Sequence, residues 1–322
     1  MDHYAAAVLT FLYLQALCSV GGASLPVKNL VNTTAGVIGQ NRSSGLEGVA
    51  SSKYVIVTYP MSTFVTCVAG FTNRSDEVYG IYANISLWGH EHTKPNAYSA
   101  AAIQVSNDLG AEFNAIRAGF HTLPSLYNDT KLHLFVQWTA DDDWSTGCYN
   151  MDCPGFVPAK HPDPDTPMPG MAIDELSSYN ETDSSMTLLL FKDDRISMGG
   201  GDWWLYRGVG HVRYLIGRWP ASLFTTMSRS GTEAAWYGAV GFGARDDPPP
   251  AMGSGHGPGE GRTRAAYFAD IGVMDNRGAP VEPSLHRVAP MATTAGCYPV
   301  AMDAGGANTF FYGGPVVNTN CV

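Results

Sequence analysis

Short apolar runs follow one another along this chain, separated by Gly, Pro, Asn and Asp. Some of the runs alternate with polar residues and some are continuous. Alternation with a period of two marks a strand buried on one face, and a continuous run of strand length marks one buried on both. The pattern predicts strands over residues 54–59, 78–88, 100–106, 132–140, 185–193, 202–208, 212–219 and 234–242. LHLFVQWTA (132–140) and SMTLLLFKD (185–193) mix both patterns, as sandwich strands do. One helical turn is expected over 222–227, after Pro220, and no helix longer than two turns. Gly/Pro-rich breaks at 158–170 and 246–262 read as loops rather than linkers, because strand patterns continue on both sides. With no internal repeat, the expectation is an all-β fold, an antiparallel β-sandwich.

The start of the chain departs from this pattern. Residues 5–20 are almost wholly apolar and are followed by Gly21, Gly22, Ala23 and Ser24. This predicts a signal peptide over 1–24, although its first residues lack the usual Lys or Arg. The run is short for a membrane anchor. Residues 25–53 read as a mobile polar segment and 54–322 as a single domain. Six Asn-X-Ser/Thr sequons, at Asn32, Asn41, Asn73, Asn84, Asn128 and Asn180, fit a secreted, extracellular glycoprotein. Few charged residues and abundant Gly and aromatics suit short strands and many turns. The net charge of −10, without a basic run, argues against nucleic acid or an anionic membrane as partner.

Cysteine spacing adds a brace. In WSTGCYNMDCPGFV (144–157), Cys148 and Cys153 flank a turn-forming Tyr-Asn-Met-Asp, which in an oxidising compartment predicts a disulfide-closed loop. A metal knuckle would need a second Cys or His pair at matching spacing, and none stands there. Cys67, in FVTCVAGF, reads either as a buried thiol or as one half of an intermolecular bridge. No metal or cofactor is expected. His90 and His92 lack a third ligand, Asp141-Asp142-Asp143 reads as a solvated turn rather than a Ca²⁺ site, and Ser254 has no nameable base. Gly199-Gly200-Gly201 precedes a strand, so it reads as a hairpin turn.

GCYNMDCPGFV resembles a signature of the neprosin family, secreted plant proteins whose active members resemble glutamic prolyl endopeptidases. Further motifs follow in family order: YANISLW (82–88), AGFHTLPSLYND (118–129), GDWWL (201–205), IGRWPASLF (216–224), AWYGAV (235–240), MGSG (252–255), AAYF (265–268) and FYGGP (311–315). The resemblance implies two stacked sheets with a groove across one face, and a Cys297–Cys321 disulfide. It also implies a longer pro-segment near the start, which is not recognisable here.

Active relatives use two glutamates: one just before the Ala-Gly-aromatic step, the other in a Trp-Gly-Gly-Glu-Val motif. Residue by residue these positions hold Arg117 and Ala239. Hydrolysis of this kind needs an acid and a base held close with their pKa values pushed apart. A guanidinium stays protonated near neutral pH, and Ala transfers no proton. Glu112, an odd number of residues before Arg117, points to the opposite face of a regular strand. Glu233 lies roughly 20 Å along an extended strand from Ala239. The resemblance therefore implies a catalytically degenerate member that binds an extended or proline-containing peptide, or an acidic peptide or uronic glycan. Arg117, Tyr149, Trp203, Trp204, Trp219, Trp236 and Tyr237 are the candidate groove residues, with packing in the sandwich core as the alternative for each aromatic. An active peptidase with a rearranged residue set and a cell-wall carbohydrate-binding or structural module are the alternatives.

Overall fold

The structure, a computed structural model, describes residues 64–107, 112–142, 145–160, 162–193, 201–243, 248–281, 283, 288–305 and 308–316. The expected signal peptide, the segment 25–53, the strand at 54–59, Asn32, Asn41, Asp143 and Cys321 lie outside the described residues.

The strands are, in chain order, β1 (Phe64–Val78), β2 (Gly80–Ser86), β3 (Tyr98–Asn107), β4 (Asn114–Thr122), β5 (His133–Thr139), β6 (Cys148–Tyr149), β7 (Val157–Pro158) and β8 (Ser185–Asp193). There follow β9 (Asp202–Val209), β10 (Val212–Trp219), β11 (Gly231–Gly243), β12 (Ala266–Met274), β13 (Pro280–Val281), β14 (Val288–Ala292), β15 (Val300–Met302) and β16 (Phe310–Tyr312). The described strands form two antiparallel sheets. A seven-stranded sheet has the order β14-β1-β11-β3-β4-β5-β6. A nine-stranded sheet has the order β15-β16-β12-β2-β8-β9-β10-β7, with β13 on β12. The expected sandwich is thus present. Among the described residues helix is confined to single turns at Pro124–Tyr127, Ala221–Leu223 and Pro258–Glu260, each beginning at or just after a proline. Pro suits a first helical position because its missing N–H would have no partner there.

Strand β4 is absent from the strands that the pattern predicts. Arg117 and His121 interrupt its apolar run, yet every residue of β4 is buried. Strands β3 and β5 flank it and are likewise buried throughout, so the centre of this sheet is covered on both faces.

The sheets meet over a core of Ile103, Ile116, Val136 and Phe242 from one side and Ile81, Leu188, Leu205 and Phe268 from the other. Trp203, Trp219 and Trp236 lie wholly inside it. Trp236 Nε1 donates to the Tyr82 carbonyl at 2.9 Å, and Trp203 Nε1 to the Met227 carbonyl at 2.9 Å, which satisfies polar atoms that burial would otherwise leave costly. Cys67 is buried in the same core and forms no disulfide, and its burial keeps it out of reach of an intermolecular bridge.

The Cys148–Cys153 disulfide forms as expected, with its Cα atoms 5.7 Å apart. It ties the two-residue strand β6 to the following turn. Gly155, just beyond, has φ +146°, and a Cβ there would stand 2.0 Å from Trp138 Nε1. Only glycine meets both conditions, which accounts for the Pro-Gly step of the motif. Cys297 is also disulfide-bonded; its expected partner, Cys321, lies outside the described residues.

Candidate functional site

Side chains alternate between the two faces of a strand. On the seven-stranded sheet one set enters the inter-sheet core and the other set faces away from it. The register aligns the second set into rows. One row, from β11 to β6, is Ala235, Gln104, Arg117, Gln137 and Tyr149. The next is Tyr237, Ala102, Gly119 and Phe135. The third is Val68, Ala239, Ala100, His121 and His133.

Both motif positions therefore share this outer face. Arg117 and Ala239 stand two strands and four residues apart, which amounts to about 10 Å across the sheet and about 13 Å along it. The row between them has the small residues Ala102 and Gly119 at its centre and Tyr237 and Phe135 at its ends. A Cβ on Gly119 would approach the Ala101 carbonyl oxygen to 2.1 Å, so this low floor is enforced by the neighbouring backbone.

Arg117 is 2 % exposed. Its Nε donates to Gln104 Oε1 at 2.7 Å and its Nη1 to Gln137 Oε1 at 3.3 Å. Tyr237 Oη donates to the same Gln104 oxygen at 3.5 Å, and Gln104 Nε2 donates to Ser106 Oγ at 3.3 Å. Burial pushes the Tyr237 hydroxyl pKa up, against an opposing pull from Arg117. An amide carries both an acceptor and a donor end, so two glutamines can hold a cation as here or, turned over, a carboxylate.

His121 centres a second cluster. Its Nδ1 meets Tyr149 Oη at 2.7 Å and its Nε2 meets Tyr127 Oη at 2.9 Å. Asn150 Nδ2 also donates to Tyr127 Oη, at 2.9 Å. Burial, and then the neighbouring His133, hold the His121 pKa well below its ordinary value, so the ring is neutral and one nitrogen donates while the other accepts. Burial likewise raises the Tyr149 hydroxyl. Tyr127 stacks on His133 at 3.7 Å between centroids, and His133 bonds Asp129 Oδ1 at 2.9 Å. The helical turn supplies Leu126 and Tyr127 as a wall on this face, and β14 supplies Met291.

Of the seven candidate groove residues, the structure brings together Arg117, Tyr149 and Tyr237. Trp203, Trp219 and Trp236 are corrected to core residues, because each is fully buried between the sheets. Trp204 lies on the outer face of the other sheet, beneath the Arg218 guanidinium at 5.6 Å. Gln104, Gln137, His121, Tyr127 and Asn150 complete the site and were absent from the candidate set. Single glutamines inside AAAIQVS and LHLFVQWTA were the available signal, since a lone amide in an apolar strand needs a buried partner.

The remaining candidates stand apart. Asp141 accepts from the backbone and hydroxyls of Ser145 and Thr146, which places its carboxylate in a turn. His256 Nδ1 pairs with Glu260 Oε1 at 2.9 Å, while Ser254 Oγ accepts only the His256 backbone N–H among its described bonds. Glu233, on the same face as Ala239, pairs with Arg74 at 2.5 Å. Among the described residues no three His, Cys, Asp or Glu side chains group as metal ligands.

A family model described as Neprosin matches residues 95–315. Among solved structures, the chain is similar to Scytalido-glutamic peptidase with a peptide-based transition state analog, at 11 % identity and a TM-score of 0.43, covering 79 % of this chain and 100 % of that one. It is also similar to SCP-B, a member of the Eqolisin family of peptidases, in complex with the tripeptide Ala-Ile-His, at 10 % identity and a TM-score of 0.41 over the same shares.

Proposed function

Since the chain belongs to the Neprosin family, we propose that it is a secreted member that binds peptides on the outer face of the seven-stranded sheet without cleaving them. One observation carries this reading. The two positions matched to family glutamates hold Arg117 and Ala239, and strand register keeps both on one face. Proton transfer is worth at least about 10²-fold per group in hydrolysis of this kind. Neither side chain can supply it. His121 and His133 are the titratable groups in the row of Ala239; tyrosine hydroxyls engage both ring nitrogens of His121, and the Gly170 carbonyl and Asp129 engage those of His133.

The apolar start of the chain and its sequons support export. The ligand proposed is an extended peptide carrying a carboxylate, because a guanidinium pairs bidentately with that group; Arg117, buried and held by Gln104 and Gln137, meets it only once the groups covering it move aside. A uronic glycan presents the same chemistry and is the competing ligand in a binding test.

The test is cleavage of a proline-containing peptide across the acid range, comparing wild type with R117E/A239E. Wild type is expected to be silent. The double variant is expected to cut, with Gln104 and Gln137 turning their amides to meet Glu at 117. Cleavage by wild type overturns the reading. Binding separates the ligands: R117E should lose acidic peptides selectively, and equal binding by both proteins would remove Arg117 from recognition.

A further inference from the structure

We infer that Asn128 and Asn180 carry N-linked glycans in the folded protein and that Asn73, which heads the sequon Asn-Arg-Ser, does not. The inference rests on the export proposed above. The four sequons within the described residues share the Asn-X-Ser/Thr pattern and differ in their surroundings.

Asn73 lies in mid-strand on β1, between Ala234 of β11 and Val288 of β14. It is 3 % exposed, and its Nδ2, the atom that would be modified, is buried without a hydrogen-bond partner. A sugar on that atom would have to displace the strands around it. Asn84 is half-buried in mid-strand on β2. Asn128 and Asn180 are exposed, and both occupy turns with positive φ, 61° and 60°. Asn is among the few residues that adopt this conformation readily, so the turn itself selects the residue that the sequon needs.

At Asn128 the backbone N–H closes the helical turn onto the Pro124 carbonyl, which fixes the main chain and turns the exposed residue outward. At Asn180 the backbone N–H bonds the Thr263 carbonyl at 2.8 Å, and Oδ1 accepts from Arg264 Nε at 3.0 Å. The side-chain oxygen is thus held while Nδ2 remains for substitution. The modification forms a bond between Nδ2 and the anomeric carbon of a lipid-pyrophosphate-linked oligosaccharide. The anomeric carbon–oxygen bond to the pyrophosphate breaks, the lipid pyrophosphate leaves, and Nδ2 gives up one proton. The amide oxygen is untouched, so the Arg264 bond survives. A glycan at Asn128 would stand beside Tyr127, at the wall of the proposed binding face.

The full chain is expressed in a eukaryotic secretory host, once with its own first residues and once behind an added secretory leader. Secreted protein is deglycosylated enzymatically in ¹⁸O-water, which converts each formerly occupied Asn into labelled Asp, and the peptides are analysed by mass spectrometry. Label is expected at positions 128 and 180 and absent at 73. T130A and T182A remove the sequons while leaving both asparagines in their turns, and each should lose the mass of one glycan. Secretion and label only behind the added leader would overturn export by the chain's own start and leave the site assignment standing. Protein behind the added leader that lacks label at 128 or at 180 overturns that site. Label at 73 in folded protein overturns the burial criterion.

Discussion

The two faces of the seven-stranded sheet are built by the same strands, one residue out of step, and they differ in almost everything but burial. The inner face is Ile103, Ile116, Val136 and Trp236, and apolar packing dominates it, with hydrogen bonds from the Trp236 indole and, at the strand ends, from Asn107 and Asn114. The outer face is Gln104, Arg117, Gln137 and Tyr237, with His121 and Tyr149 beside them, and it is held by a hydrogen-bonded network. Apolar packing is non-directional and tolerates many arrangements of similar volume. A buried polar network tolerates few, since each member left unpaired costs about 1–3 kcal/mol. The inner face therefore specifies that the sheets stack, while the outer face specifies which groups stand where.

The largest effect should come from emptying the inner face. Trp236→Ala removes a fully buried indole and its bond to Tyr82, and should cost about 3–5 kcal/mol in chemical denaturation. The disulfide comes next. Strand β6 contributes one residue to each face, with Cys148 opposite Trp138 and Tyr149 opposite Gln137. Replacing both cysteines by Ala should cost about 2 kcal/mol from loop-closure entropy. Both faces should then loosen together, visible as faster amide exchange at Trp138 and at Gln137. Loosening of one face alone would show that the strand is held there independently of the brace.

How much of this was legible depended on which face a residue serves. The pattern predicts strand β8 at its observed limits, because alternation at 185–187 leads into the continuous apolar run 188–191. It misses strand β4, because Arg117 and His121 make sense only beside partners from other strands. Gln104 and Gln137 lie 13 and 20 residues away in sequence. The tryptophans depart from the groove expectation for a more basic reason. Trp203 and Trp204 are consecutive in a strand, as are Trp236 and Tyr237, so the two-residue period forbids either pair from lining one groove. Applied strictly, that rule would have separated core from site. The register relating Arg117 to Ala239 could not be read at all, since pairing is fixed by strands distant in the chain.

Acid should weaken the outer face through His121. In the unfolded chain the His121 ring titrates near 6.5, and in the fold well below that, mainly through burial and then through His133. Between those limits the unfolded state holds the extra proton, so stability rises with pH. The contribution is complete above pH 6.5 and is lost as pH falls below it. His90, lowered to about 4 by burial, acts in the same direction. Unfolding free energy measured across this window should fall toward acid, and His121→Phe should flatten the slope without abolishing it. An unchanged slope in that variant would mean that His121 is already protonated in the fold.

The smallest effect should be Tyr237→Phe. The deleted hydroxyl donates to Gln104 Oε1 over 3.5 Å, at the outer limit of a hydrogen bond, whereas Arg117 Nε reaches the same oxygen at 2.7 Å. Gln104 therefore keeps its stronger, charge-assisted donor, and the loss should stay below about 1 kcal/mol. Gln104→Leu is the informative partner, because it takes the acceptor from a buried guanidinium and should cost more, about 1.5–3 kcal/mol. If the two variants cost the same, the hydroxyl is as necessary to the network as the amide. Tyr237 would then belong with Arg117 among the groups whose placement the outer face exists to hold.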